Sequence, residues 1–226
     1  MTNHHAARLT GVLLIIATVA ALLAAALAPA LTGADYLTDV SADPNHVAAS
    51  ALLYLVAAFG SAAIAVWLYP VLKTTNQAMA LGAVVFRTLE AGMYAIAVLG
   101  LLSLGTIGLQ VTSGGAGDPA PLQAVGDSIV SLRDHASLVG VFAFSLGALL
   151  YYSLFFQSRL IPRWLSGWGI LAVILMASAC VLALFSHNPV TGYAPLILPI
   201  AVQEMVLAIW LIVKGFDHTT GERTND

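Results

Sequence analysis

Hydrophobic positions along this chain fall in long, nearly uninterrupted runs. They form neither the one-sided stripe of a water-facing helix nor the alternation of a half-buried strand. Six runs stand out, each roughly 20 residues or more, and ~20 residues of helix rise about 30 Å, the thickness of a bilayer's hydrocarbon. The pattern predicts spans over Leu9–Leu31, Val47–Tyr69, Ala78–Ser103, Ser128–Phe156, Leu165–Phe185 and Pro195–Lys214. Backbone N–H and C=O groups in lipid must pair internally, and the period-2 segments of a β-barrel are missing, so the spans are helices. The expected fold is all-α, a polytopic six-transmembrane-helix bundle making one membrane domain over residues 1–226, with a short tail from residue 215. The connection Leu104–Asp127 contains Gly105, Gly108, Gly114, Gly115, Gly117, Pro119 and Pro121, and reads as a flexible surface loop.

Composition sharpens this picture. Apolar residues make up 60% of the chain and charged ones 8%, with a mean hydropathy of +0.92. Soluble domains carry about a quarter charged residues, so this chain cannot cover itself with a water-facing surface. A net charge of −3 with no basic stripe excludes a nucleic-acid partner, leaving the lipid bilayer as the first one. The lone Cys180 sits in an apolar run, where it reads as a small packed side chain.

Charge also orients the bundle. Arg8, Lys73, Arg159, Arg163, Lys214 and Arg223 fall on one side of a six-span arrangement, while Asp35, Asp39, Asp43, Asp118 and Asp127 fall on the other. The positive-inside rule then predicts both termini in the cytoplasm. Trp67, Trp164, Trp168 and Trp210 gather at the same boundary, as interfacial anchors do. The stretch Ser158–Gly169, with its Pro162 and its basic and aromatic residues, suits anionic headgroups. Ala28-Pro29-Ala30 faintly resembles a signal-peptide cleavage site. The apolar stretch before it exceeds the ~7–15 residues of a signal core, so the first span is expected to stay.

Ionisable residues inside spans are expensive, about 2.5–3.5 kcal/mol each even on lenient scales, and so must face the bundle interior. Arg87 and Glu90 are three apart on one helix face, which Tyr94 extends. Entry near Ala78 puts Arg87 ~13 Å and Glu90 ~18 Å deep. The competing span Ala91–Val111 would leave both at the interface, but would strand the apolar run 78–86 in water. Glu204 lies mid-span, with no basic residue between Arg163 and Lys214. Its expected partner is therefore Arg87, from another helix. Burial favours the neutral form of a carboxyl, so one of the two acids is expected to hold a proton, as a relay or general acid. The same trio equally fits a pinned ion pair that orders three helices and does nothing else.

Other polar residues form weaker patterns. Asp134, Ser145 and Tyr152 share one helical stripe, and His46, Ser50, Tyr54 and Ser61 another. Each is either ordinary bundle glue or the lining of a wet cavity. Arg133, Asp134 and His135 precede a charge-free stretch already long enough to cross, so they belong at the outer interface. His46, His135 and His187 map to that side, but no ligand spacing accompanies them, and neither metal nor cofactor is expected. Glu204, Glu90 and Arg87 are thus the candidates for chemistry, and Tyr94, Gln203, Tyr54, Asp134 and His135 those for binding a substrate.

Arg8-Leu-Thr-Gly11, Leu68–Lys73, Phe86-Arg-Thr-Leu-Glu90, Ser158–Ser166 and Leu198–Phe216 together resemble, in order and over nearly the whole chain, the bacterial membrane-protein family catalogued as domain of unknown function 4386. The resemblance implies a bacterial cytoplasmic-membrane protein that keeps its first span. The family's Arg-x-x-Glu and Gln-Glu positions fall on Arg87, Glu90, Gln203 and Glu204. It implies no activity. Three functions stay open: proton-linked transport or binding of a small solute, acid–base catalysis on a lipid-like or isoprenoid substrate, and a non-catalytic subunit of a membrane complex. Three spans per half would invert the two halves, with Glu90 and Glu204 each on the third span of its half.

Overall fold

The computed structural model describes residues 3–113, 119–186 and 188–217, with side chains from residue 5. The helices are α1 (Asn3–Leu27), α2 (Tyr36–Ala42), α3 (Pro44–Leu72), α4 (Gln77–Thr112), α5 (Ala120–Ser158), α6 (Arg163–Ser186) and α7 (Ala194–Val213). A 3-10 turn, Val190–Tyr193, leads into α7, and no strand occurs among the described residues. Six of the helices are long and apolar enough to cross a membrane. Local chemistry sets their starts. The Asp43 side chain accepts from the His46 amide ahead of Pro44, and Asn76 accepts from the Met79 amide, both at 3.1 Å. These caps satisfy donors that a helix start leaves unpaired.

Each long helix packs against its chain neighbours, and α7 closes on α1, so the six form a ring. Short connections make the neighbours antiparallel. Both described chain ends, the α3–α4 turn and the α5–α6 turn therefore share one end of the ring, which carries Arg8, Lys73, Arg159, Arg163 and Lys214. Large apolar side chains such as Leu52, Phe59, Leu99 and Leu171 point outward, as lipid contact requires. Arg159 ends α5 in the left-handed region at φ 56°, and the following turn is tied down where the Asp217 amide donates to the Leu160 carbonyl at 2.9 Å. Beneath it Tyr151, Tyr152, Phe155, Leu165, Leu211 and Phe216 pack into a dense core.

The expected loop over 104–127 is corrected. Residues 104–112 continue α4 and residues 120–127 begin α5, making helices of 36 and 39 residues. At 1.5 Å per residue these reach about 54 and 58 Å, well beyond a ~30 Å hydrocarbon layer. Two of the glycines there, Gly108 and Gly126, serve close packing. A Cβ on Gly108 would stand 2.3 Å from the Leu37 carbonyl oxygen, and one on Gly126 would stand 2.5 Å from the Tyr36 hydroxyl. Both leave room for α2, an element no hydrophobic run announced, which buries Tyr36, Leu37 and Val40 in a second small core. Tyr36 donates to Asp127 Oδ1 at 3.0 Å, and burial together with that acceptor pushes its phenol up to about 12. Gly114, Gly115, Gly117, Asp118, His187 and Arg223 lie outside the described residues.

Candidate functional site

Arg87 and Glu90 face the ring's interior from α4. The Arg87 Nη1 lies 3.2 Å from Glu90 Oε2, with side chains only 2% and 5% exposed. Ser61, on α3, donates to the same carboxylate oxygen at 2.8 Å. The guanidinium lies under the Phe144 ring, 4.3 Å from its centroid, and 5.9 Å from that of Tyr151. Its Nε and Nη1 are buried and find no acceptor in hydrogen-bond geometry. Nη1 is held to Glu90 by charge, and the Phe144 ring lies against the guanidinium carbon. The stem of the same side chain fits because position 147 is glycine, where a Cβ would sit 3.0 Å from Arg87 Cγ.

Glu204 enters from α7 and is corrected in one respect: among the described residues it makes no ion pair, with Arg87 or any other cation. The rotation of α4 turns Arg87 toward Glu90 and the α5 aromatics. Glu204 Oε1 receives the Tyr151 hydroxyl at a long 3.4 Å, and Thr18 of α1 faces the same carboxyl. The trio is nevertheless brought together. Arg87, Glu90 and Glu204 all line one cavity of about 220 Å³, with Tyr54, Ser61, Tyr94, Phe144 and Met176 and a largely aliphatic remainder from α1, α3 and α7.

Gln203 points elsewhere. It is fully buried, its Nε2 donates to the Leu165 carbonyl at 3.1 Å, and its Oε1 accepts from Tyr152, so both ends of the amide tie α7 to α5 and α6. Of the two polar stripes, Tyr54 and Ser61 reach the cavity, whereas Ser50 bonds the Ala24 carbonyl at 2.9 Å and Ser145 its own helix at Val141, 2.8 Å away. Tyr152 is taken by Gln203, so the Asp134–Ser145–Tyr152 stripe lines nothing continuous.

A second cavity, of about 530 Å³, lies toward the α2 end and is lined by Arg133, Asp134, Ser137 and residues near Pro29 and Pro189. It shares Tyr54, Tyr94, Met176 and Ile197 with the inner cavity. Asp134 pairs with Arg133 at 3.1 Å. His135 lines a neighbouring recess, its Nδ1 3.3 Å from the Ser131 hydroxyl. His46 is exposed and pairs with Asp43 at 3.1 Å. Among the described residues no three His, Cys, Asp or Glu side chains come together as metal ligands would.

Sequence reasoning passed over Thr18, Phe144 and Tyr151. A signal for two of them existed: Phe144, Gly147 and Tyr151 recur at three- and four-residue steps, the mark of one helix face. Thr18, in an Ala-rich span, carried no such mark. No curated protein and no solved structure matches the chain. The family described as a domain of unknown function (DUF4386) matches residues 9–215, and the chain belongs to that family.

Proposed function

We propose that this is a bacterial cytoplasmic-membrane protein with both termini in the cytoplasm. In this reading it binds a small, largely apolar solute between its six helices and moves it in exchange for a proton held on Glu204 or Glu90. The orientation rests on the basic residues and on Trp67, Trp164 and Trp210 collecting at one end of the ring. The observation that carries the function is the cavity pair: Tyr54, Tyr94, Met176 and Ile197 line both the outer space and the chamber of the two acids. On the basic side the chamber is backed by the dense Tyr151–Phe155–Leu211 core. Shared lining on one side and a packed core on the other suit a carrier resting open to one face. Pro199, inside α7 and five residues before Glu204, removes a backbone donor where such a helix would bend.

The test uses proteoliposomes loaded with a pH-sensitive dye and a panel of solutes of about ten non-hydrogen atoms, in cationic, neutral and anionic forms. At least one form should drive a change of internal pH with the wild-type protein and none with Glu204→Gln, against protein-free vesicles as background. Silence of the whole panel with folded, inserted protein would sink this function.

A second reading, acid–base catalysis on a lipid-like substrate, draws on Leu22. This residue lines the chamber yet is 60% exposed on the outside of the ring, beside Ala21, Ile197 and Ala201 of the same lining. A substrate could enter from the membrane there, and a protonated Glu204 would be the general acid. Conversion of an extracted lipid fraction by the wild type but not by Glu204→Gln would favour it over transport.

A further inference from the structure

We propose that the inner chamber is a site for a small hydrophobic organic cation, an amine or quaternary ammonium, and that its charged end sits at Glu204. The inference rests on the solute-binding reading and names the class of solute. Three observations carry it. First, the chamber's charges are unequal in availability. Arg87 is already matched by Glu90 at 3.2 Å and covered by Phe144, with Nε and Nη1 shut away from any probe. Glu204 has no ion-pair partner among the described residues, and its carboxyl meets only neutral hydroxyls, that of Tyr151 at a long 3.4 Å and that of Thr18. An anionic solute would bring a third negative charge to two carboxyls and one guanidinium; a cation supplies the charge that is missing.

Second, the remaining walls suit a cation with an apolar body. Tyr54 and Tyr94 are half-buried and line both cavities, so a cation crossing between them passes two aromatic side chains. Ala17, Ala21, Ala58, Met176 and Ile200 give the rest of the body an apolar bed. Third, the size fits. An apolar cavity of about 150 Å³ holds benzene; one of about 220 Å³ holds an aromatic ring and a short charged arm.

The exchange balances in charge and atoms. A protonated Glu204 carboxyl gives its proton to water as the ammonium arrives, and the ion pair that forms carries no more charge than the acid it replaced. The titratable groups facing Glu204 are Arg87 of α4 and Tyr151 of α5, with Glu90, Tyr94 and Tyr54 around the same chamber. α1 and α6 add only Thr18 and Met176 among polar or polarisable linings.

The test compares three probes of similar size in lipid nanodiscs: benzyltrimethylammonium, 4-phenyl-1-butanol and 3-phenylpropanoate. Binding is read by titration calorimetry in weak buffer, with released protons read by a dye. The cation should bind at least tenfold more tightly than the alcohol and release up to one proton per site. Glu204→Gln should lose at least tenfold in affinity and all proton release, while Glu204→Asp keeps the release. Ala201→Leu, which fills the chamber beside Glu204 and leaves the acid in place, should block binding without touching any charge, so a misfolded Glu204 variant does not decide the matter. Tighter binding of 3-phenylpropanoate, equal binding of cation and alcohol, or an unchanged Glu204→Gln overturns the cation assignment and leaves the solute reading standing. If none of the three binds and Ala201→Leu changes nothing, both fall.

Discussion

Two arginine–carboxylate pairs sit in this molecule at nearly the same separation. Arg87 and Glu90 meet at 3.2 Å with side chains 2% and 5% exposed; Arg133 and Asp134 meet at 3.1 Å with side chains 18% and 47% exposed. The first is wrapped by Phe144, Tyr151 and Ser61 in the chamber. The second lines the outer cavity, near the α2 end. Distance alone ranks them as equals, but water does not. Removing one partner of a buried pair strands a charge where nothing solvates it, whereas an exposed pair is already half replaced by water. The inner pair is therefore a fixed element of the bundle, and the outer pair is a surface feature of a vestibule.

The largest break in that comparison is expected from Glu90→Ala. Leaving Arg87 buried without its acid should cost about 3–5 kcal/mol, read as a fall in thermal unfolding temperature in detergent micelles. The double change Arg87→Met with Glu90→Leu should recover most of it, because removing both charges removes the desolvation cost as well. No recovery would mean that the pair does more than neutralise itself. Next, Gly147→Ala puts a methyl 3.0 Å from Arg87 Cγ and 3.1 Å from Cδ. Side chains pinned between rings yield poorly, and a loss of about 1–3 kcal/mol is expected in the same melt. Equal stability would show that the arginine stem can shift.

A smaller effect is expected at the outer end. Tyr36→Phe removes the hydrogen bond to Asp127 and should cost about 1 kcal/mol, seen as faster hydrogen exchange over Tyr36–Ala42 with the chamber helices unaffected. The pH sign follows from a phenol held up at about 12 in the fold against ~10 in an open chain. Its contribution is complete below about pH 10 and is lost as pH rises through 12. Protection of α2 should follow that window in the wild type and not in the variant. The smallest change is Asp134→Ala, within about 0–1 kcal/mol, and a loss as large as that of Glu90→Ala would overturn the contrast between the two pairs.

Legibility in the sequence followed the same divide. The burial of Arg87, Glu90 and Glu204 could be read without coordinates, because a charge inside an apolar run has nowhere to go but inward. Tyr54, Ser61 and Tyr94 were reachable through their helical spacing. Phe144 and Tyr151 went unread because aromatic residues at core spacing look alike whether they stack on a guanidinium or on leucine. The α2 element was illegible for a different reason. Its seven residues are too few for a periodic signal, and the glycines that receive it, Gly108 and Gly126, read locally as breakers.

What the sequence determined by itself was the number of membrane-length helices, their order, and the inward burial of Arg87, Glu90 and Glu204. Each of these follows from the cost of putting polar groups into hydrocarbon, a local property of each segment. What only the tertiary structure decided was pairing. Arg87 turned to Glu90 and the aromatics rather than to Glu204, Gln203 left the chamber to join Tyr152 and Leu165, and Glu204 was left beside open space. Those choices depend on how far each helix rotates about its axis and how closely it approaches its neighbours. Glycines such as Gly147 and the bulk of facing side chains set both, and no single span contains that information.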